Sequence, residues 1–217
     1  KAIVLFLHRL PALLGTSEDP SIGQIAAYAC GPDYHHSLKR LLRDLEAQLV
    51  VIDPTLQLKM FVDSAPVMER DLAVKSGLGW IGRNGLLLHP QYGSQFVIGG
   101  FFVNRPLRKE RPVLPDRCGT CRRCLDACPT AAIGEDRQLD ARCCLSFLTI
   151  EKKGEIPPEL HPKIANRIFG CDTCQCVCPW NAGSLVELLP HDSKFQRPLH
   201  EWQQILQPGV GFKRLFK

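Results

Sequence analysis

The chain has 217 residues, 45 % of them hydrophobic, with 27 Lys and Arg against 22 Asp and Glu for a formal charge of +5. That length allows one ordinary core plus a small module organised by a cofactor. No apolar run approaches the roughly 18 residues of a membrane span, so the composition reads as that of a soluble globular protein rather than a membrane or disordered one.

The chain begins in mid-stride. Ala2 to Leu7 reads as a buried strand with no initiator Met before it, and Lys217 follows an apolar stretch, so a fragment trimmed at both ends is expected. Ser21 to Cys30 and Asp33 to Leu49 are predicted as two helices separated by Gly31-Pro32. In the second, Leu38, Leu41, Leu42, Leu45 and Leu49 recur at helical spacing as a core-facing stripe, with Asp33 as its N-cap. Val50 to Ile52 and Met60 to Val62 are predicted as short strands, and Glu69 to Lys75 as a helical turn or two. Gly77 to Gly85 holds four glycines in nine residues, so the backbone there turns tightly or approaches a ligand. Leu86 to Leu88 and Gln95 to Val103 read as further strands.

Pro112 to Pro115 is read as a hinge into a second module, with short helices after Cys121 and Cys178. Beyond Leu185 a polar, proline-marked segment leads to a helix starting near Glu201. The expected fold class is α+β, with a mixed α/β domain over residues 1–111, a ferredoxin-like module over 112–184 and the start of a helical segment over 185–217.

The second module carries the most informative pattern. Cys118, Cys121, Cys124 and Cys128, followed by Pro129, have the C-x2-C-x2-C-x3-C-P spacing of bacterial ferredoxins, in which the cysteine before proline serves the other cluster. A second run, Cys171, Cys174 and Cys178 before Pro179, lacks one ligand, which the Cys143–Cys144 doublet can supply. Two [4Fe–4S] clusters need eight thiolates and the chain holds eleven cysteines. We therefore assign Cys118, Cys121, Cys124 and Cys178 to one cluster, and Cys128, Cys144, Cys171 and Cys174 to the other. Structural zinc takes paired C-x2-C knuckles, which leave the third cysteine of the first run idle. Disulfides do not suit such crowded thiols in a chain that shows no signal peptide or apolar leader. Cys30, Cys143 and Cys176 remain as small half-apolar residues, although Cys143 and Cys176 could be mistaken for their neighbours. Each cluster with four thiolates carries about −2 when oxidised, so local charge says more than the total. Arg105, Arg108, Lys109, Arg111, Arg117, Arg122 and Arg123 form one basic group, and Lys213, Arg214 and Lys217 another. Such groups are commonly solvated surface, but beside a redox centre they also suit a phosphate backbone or an acidic electron donor.

Outside the cysteines, Asp63 follows a strand and precedes a proline-fixed turn, Val62-Asp63-Ser64-Ala65-Pro66. A carboxylate there can project into a cleft and, if desolvated, donate a proton. The plainer reading is that it caps the turn, with Glu69 and Arg70 in surface pairs. Asp33-Tyr34-His35 begins a D-x-H-x-x-G cobalamin motif, but Leu38 occupies the glycine position, so His35 is read as capping or packing. Gly77-x-Gly79-x-x-Gly82 matches a dinucleotide fingerprint in letters but follows a helix and opens none.

The ordered set Asp33-Tyr34-His35, Val62 to Arg70, Ser76 to Asn84, Cys118 to Thr130, Cys144 to Glu151 and Gly170 to Asn181 resembles the epoxyqueuosine reductase family from about residue 20 to about residue 185. The resemblance implies a cobalamin in the α/β domain, two [4Fe–4S] clusters, and reduction of epoxyqueuosine to queuosine at the wobble position of a tRNA anticodon stem-loop. It places the proton donor at Asp63 and supports the crossed cysteine assignment. It carries cobalamin contacts to Asp63, the main chain at Leu87 and Ile98, and Ser146, Lys153, Cys171 and Asp172. The expected enzyme is a cytoplasmic monomer without a membrane anchor, served by a reduced flavodoxin or ferredoxin. Family members begin before Lys1 and continue past Lys217 into a basic helical tail. Two other readings share the cysteines: a cobalamin-dependent reductive dehalogenase, and a non-catalytic ferredoxin-type electron carrier.

Overall fold

The structure is a computed structural model describing residues 2–9, 19–106, 111–182 and 197–205. Its first half is built on a three-stranded antiparallel sheet of order β1-β6-β3, comprising β1 (Ala2–Arg9), β3 (Leu58–Val62) and β6 (Phe96–Val103). β6 is central: it pairs with β1 from Ala2↔Val103 to Arg9↔Phe96, and with β3 from Leu58↔Val103 to Val62↔Gly99. Helix α1 (Tyr34–Ile52) covers one face, its fully buried Leu38 and Leu42 packing on Val62, Phe101 and Val103. Gly99 makes this approach possible, since a Cβ there would meet the Leu38 and Leu42 side chains at 3.0–3.2 Å. On the other face lie α2 (Glu69–Lys75) and the two-stranded β4 (Trp80–Ile81) and β5 (Leu87–Leu88), through Ala73, Leu87, Phe96 and Ile98.

The expected α+β class agrees with this mixture, and Asp33 caps α1, accepting from the His35 N–H at 2.9 Å. Several predicted details change. Val50–Ile52 is not a strand but the last turn of α1, which ends as the Asp53 N–H bonds Leu49 O. The β-branched run suggested a strand, but Val51 and Ile52 are 82 % and 80 % exposed, away from any sheet edge they could join. Leu41 of the predicted stripe also faces out, 42 % exposed. Ser21–Cys30 is not a helix. Its N–H groups find distant partners instead: Gly23 bonds Arg197 O, Gln24 bonds Asn166 O and Ala26 bonds Phe169 O. The segment becomes β2 (Gln24–Ile25) and a 3-10 turn over Ala27–Ala29, with β2 parallel to β7 (Arg167–Phe169).

The cysteine-bearing half contains short helices only: α3 (Arg123–Asp126), α4 (Leu145–Ile150), α5 (His161–Ile164) and α6 (Thr173–Cys176). The helix predicted after Cys178 is a 3-10 turn over Pro179–Asn181. Helix α7 (Leu199–Ile205) starts near the predicted position, and its Trp202 packs on Ile25 and Ile168. Pairing of β2 with β7 thus crosses the boundary expected between residues 111 and 112. Arg108, Lys109, residues 183–196 of the proline-marked segment and the basic group Lys213, Arg214 and Lys217 lie outside the described residues. No helix among the described residues is long and apolar enough to cross a membrane.

Leu42→Ala is expected to cost about 2–5 kcal/mol of unfolding free energy, the range for truncating a buried leucine. Val51→Ala, on the exposed end of the same helix, should stay within about 0.5 kcal/mol. Urea denaturation midpoints of the two variants compare them directly.

Candidate functional site

Two cavities lie in the cysteine module, each lined by four thiols. The first, of about 250 Å3, is lined by Cys118, Cys121, Cys124 and Cys178. The second, of about 410 Å3, is lined by Cys128, Cys144, Cys171 and Cys174. Helices α3 and α6 lie against each other, and the chain leaving each one carries its last cysteine across to the cavity of the other. Gly119 at φ +53° and Gly170 at φ +76° supply the left-handed turns that aim the first-run loop and Cys171. The Cys118 N–H is held by Asp116 at 2.9 Å, and the Ala132 N–H points at Cys128 Sγ at 3.3 Å.

Four thiols at each cavity make a donor set that [4Fe–4S] clusters take. Among the described residues no three His, Cys, Asp or Glu side chains close on one point as a mononuclear metal requires. Burial, and then the neighbouring thiols Cys171 and Cys144, push the Cys174 thiol well above the usual range. Burial likewise raises Cys124 and Cys178, each then opposed by sulfurs of its own quartet. Iron bound between such sulfurs would offset that opposition and hold them as thiolates. The three remaining cysteines are elsewhere. Cys30 donates to Ile25 O and Ala26 O, with burial pushing it up to about 12. Cys176 is exposed, and Cys143 is absent from the lining of both cavities.

Asp63 leaves β3 one residue after the Val62↔Gly99 pair, at the position where Ile98 would face it across the sheet. Its carboxylate does not cap the following turn. Tyr34 Oη donates to Asp63 Oδ2, and His35 Nε2 lies 2.9 Å from Asp63 Oδ1. The other ring nitrogen of His35 lies 2.7 Å from Asp33 Oδ1, so the imidazole bridges two carboxylates. Burial, then the bond to Asp63, holds the Tyr34 phenol far above its usual range and hence protonated. The Asp63 side chain is 37 % exposed, so the protein alone does not desolvate it as the sequence suggested. Tyr28 ties this group to the second quartet: its ring meets Tyr34 edge-on at 6.0 Å, and it also lines the second cavity. Neither tyrosine nor the bridging role of His35 was legible in the sequence, where His35 was read as a cap or packing residue.

The other expected contacts divide. Ser146 and Cys171 line the second cavity. Lys153, just beyond α4, lines neither. Leu87 and Ile98 are core side chains, which leaves only their main chain to meet a ligand. Asp172 is turned inward: it accepts from the Ala27 N–H at 2.6 Å and from Gln175 Nε2 at 3.0 Å, while burial raises its carboxyl above the usual range. It joins the Ala27–Ala29 turn to the cysteine module. Of the arginines between 105 and 123, Arg105 pairs with Asp53, Arg122 with Glu135 and Asp126, and Arg117 lies over the Trp80 ring.

Two family models match, "Epoxyqueuosine reductase QueG, DUF1730" over residues 3–64 and "4Fe-4S double cluster binding domain" over residues 117–181. The epoxyqueuosine reductase of Escherichia coli K12 is 42 % identical over 203 residues, covering 92 % of this chain and 53 % of that protein. The chain belongs to the epoxyqueuosine reductase family. The Pseudomonas aeruginosa epoxyqueuosine reductase is 46 % identical over 173 residues, covering 80 % of this chain and 47 % of the relative. The solved epoxyqueuosine reductase from Streptococcus thermophilus superposes with a TM-score of 0.80 at 33 % identity, covering 99 % of this chain and 56 % of that one. A further solved epoxyqueuosine reductase, crystallised with an epoxyqueuosine-modified tRNA-Tyr stem loop, gives 0.82 at 32 % identity, covering 99 % and 57 %. The chain therefore spans about half the length of the curated relatives it matches. A domain for two [4Fe–4S] clusters is part of it.

Cys144→Ala is expected to lose one cluster, roughly half of the iron bound by a reconstituted chain, because Cys144 lines a quartet. Cys143→Ala should retain all of it. Iron and sulfide analysis of the two variants decides between neighbours in the doublet.

Proposed function

We propose that this chain is the cofactor-bearing part of an epoxyqueuosine reductase that reduces epoxyqueuosine to queuosine in a tRNA anticodon stem-loop. The observation that supports the reading is the chain of contacts from Tyr28, which lines the second cysteine cavity, through Tyr34 to Asp63, the proton donor of this reading. In this reading Cys118, Cys121, Cys124 and Cys178 hold one [4Fe–4S] cluster, and Cys128, Cys144, Cys171 and Cys174 the other. Ser146 and Cys171 at the second cavity, together with Asp63 and the main chain at Leu87 and Ile98, would hold a cobalamin. Lys153 and Asp172 are the remaining contacts of this reading, though neither lines the cavity. When bound, the corrin supplies a low-potential cobalt centre able to deliver electrons to the epoxide carbon.

The balance of the reaction defines what the side chains must do. Two electrons and two protons convert the epoxide to an alkene and water, the oxygen leaving as its C–O bonds break. Asp63 donates a proton from its carboxyl to that oxygen. Tyr34 Oη and His35 Nε2 then hold the carboxylate, and an imidazole that faces Asp33 on one side and Asp63 on the other can pass a proton back. A Bacillus subtilis relative is described with an aspartate catalytic loop swung out of its active site, which supports a catalytic aspartate in this family. The relative bound to a modified stem loop supports tRNA as the substrate class. We further take the protein to work as a cytoplasmic monomer with a reduced flavodoxin or ferredoxin as donor.

In a chain reconstituted anaerobically with iron, sulfide and cobalamin, Asp63→Asn should keep its iron and corrin while turnover of an epoxyqueuosine stem loop falls roughly 10²–10⁴-fold, the span of a lost general acid. Undiminished turnover would remove Asp63 from the chemistry. Stem-loop affinity should also fall steeply between low and moderate salt, and a binding isotherm indifferent to salt would argue against a phosphate-bearing substrate.

A further inference from the structure

Asn84 lines both cysteine cavities, standing on the wall between them. It is 5 % exposed, and its side-chain nitrogen has no hydrogen-bond partner among the described residues. The orientation of the amide is not arbitrary: Oδ1 accepts the Leu86 N–H at 3.3 Å, which leaves Nδ2 as the end turned elsewhere. Gly82 makes room for this fold-back, since a Cβ there would lie 2.8 Å from Asn84 Oδ1. The neighbouring Arg83 repeats the pattern on one side only. It lines the first cavity, donates from Nη2 to Gly119 O at 3.0 Å, and its buried Nε–H has no partner among the described residues.

Two adjacent residues therefore present buried N–H groups without acceptors at the walls of cavities otherwise lined by sulfur. Buried donors are rarely left unmatched, and the acceptors that thiolates and sulfides of a cluster provide are the kind absent from the protein itself. We propose that Arg83 and Asn84 are hydrogen-bond donors to cluster sulfur and thereby set the reduction potentials of both clusters, Asn84 acting on both and Arg83 on the Cys118 quartet alone. The proposal rests on each quartet holding a [4Fe–4S] cluster. Reduction adds one electron from an external reductant to a cluster and breaks no bond, so negative charge on the sulfurs grows. Donors facing those sulfurs favour the reduced form, and removing them drives the potential down.

The test is an anaerobic redox titration of the reconstituted chain with dithionite, followed by electron paramagnetic resonance, alongside iron analysis. Asn84→Leu should lower both midpoint potentials, each by about a tenfold change in the reduction equilibrium, or about 59 mV for a one-electron couple. Arg83→Met should lower one. Iron-replete variants with unchanged potentials would overturn the donor role, and a shift of only one potential in Asn84→Leu would overturn the shared wall. A wild-type chain that takes up no iron would instead overturn the cluster reading beneath the proposal. Should a variant lose its clusters, pulsed resonance on the reduced wild type labelled with 15N in asparagine side chains decides: a 15N coupling at both clusters supports the proposal, and its absence overturns it.

Discussion

The arrangement of eight thiols in two adjacent pockets is the constraint on which the second half of the molecule depends. Burial raises Cys124, Cys174 and Cys178, and the neighbouring thiols add to the effect. The helices of the module are four to six residues long, too short to be stable alone, and its buried apolar side chains are few, among them Leu125, Ala132, Ile133, Leu145 and Leu148. Binding of clusters at the two quartets would add to the stability of this region, as in small metal-dependent domains.

A conventional core supports the other half, and the two are joined by the β2–β7 pairing, by apolar contacts of Ile25 with Ile168 and Trp202, and by buried polar groups. Asn181, 1 % exposed, accepts the Ser94 N–H at 2.7 Å and donates to Gln175 O at 2.8 Å. Gly93, at φ +57°, is needed beside it because a Cβ would fall 1.9 Å from Asn181 Oδ1. Asp172 provides the second fastening at Ala27. Both lie within a few residues of the second cysteine run, so the loop geometry around that run also fixes where the sheet domain sits.

This division explains what was legible in the sequence. The grouping of the cysteines was legible in their spacing, since cluster ligation leaves few choices of residue type and interval, and the two cavities collect the cysteines in the same sets. The α1 face was legible through Leu38 and Leu42, whose partners lie on a sheet that repeats a simple pattern. What failed was decided at long range. Ser21–Cys30 has a helical composition, but its N–H groups are taken by Asn166, Phe169, Asp172 and Arg197, and no local pattern announces them. Val50–Ile52 carries strand-forming residues without a neighbouring strand. Asn84 ends a glycine-rich stretch and gives no sign in the sequence that it stands between two quartets, and the bridging of Asp33 and Asp63 by His35 depends on a turn 28 residues away in the chain.

The bond from Ala27 to Asp172 spans 145 residues, and β2 has no strand beside it except β7 among the described residues. During synthesis from the N-terminus, the segment around Gln24 and Ile25 must wait, with its backbone donors unmet, until almost the whole cysteine module has emerged. Closing a loop of that length carries a large entropic cost before any contact returns it. The N-terminal segment therefore reaches its final pairing only once β7 and Asp172 have been made.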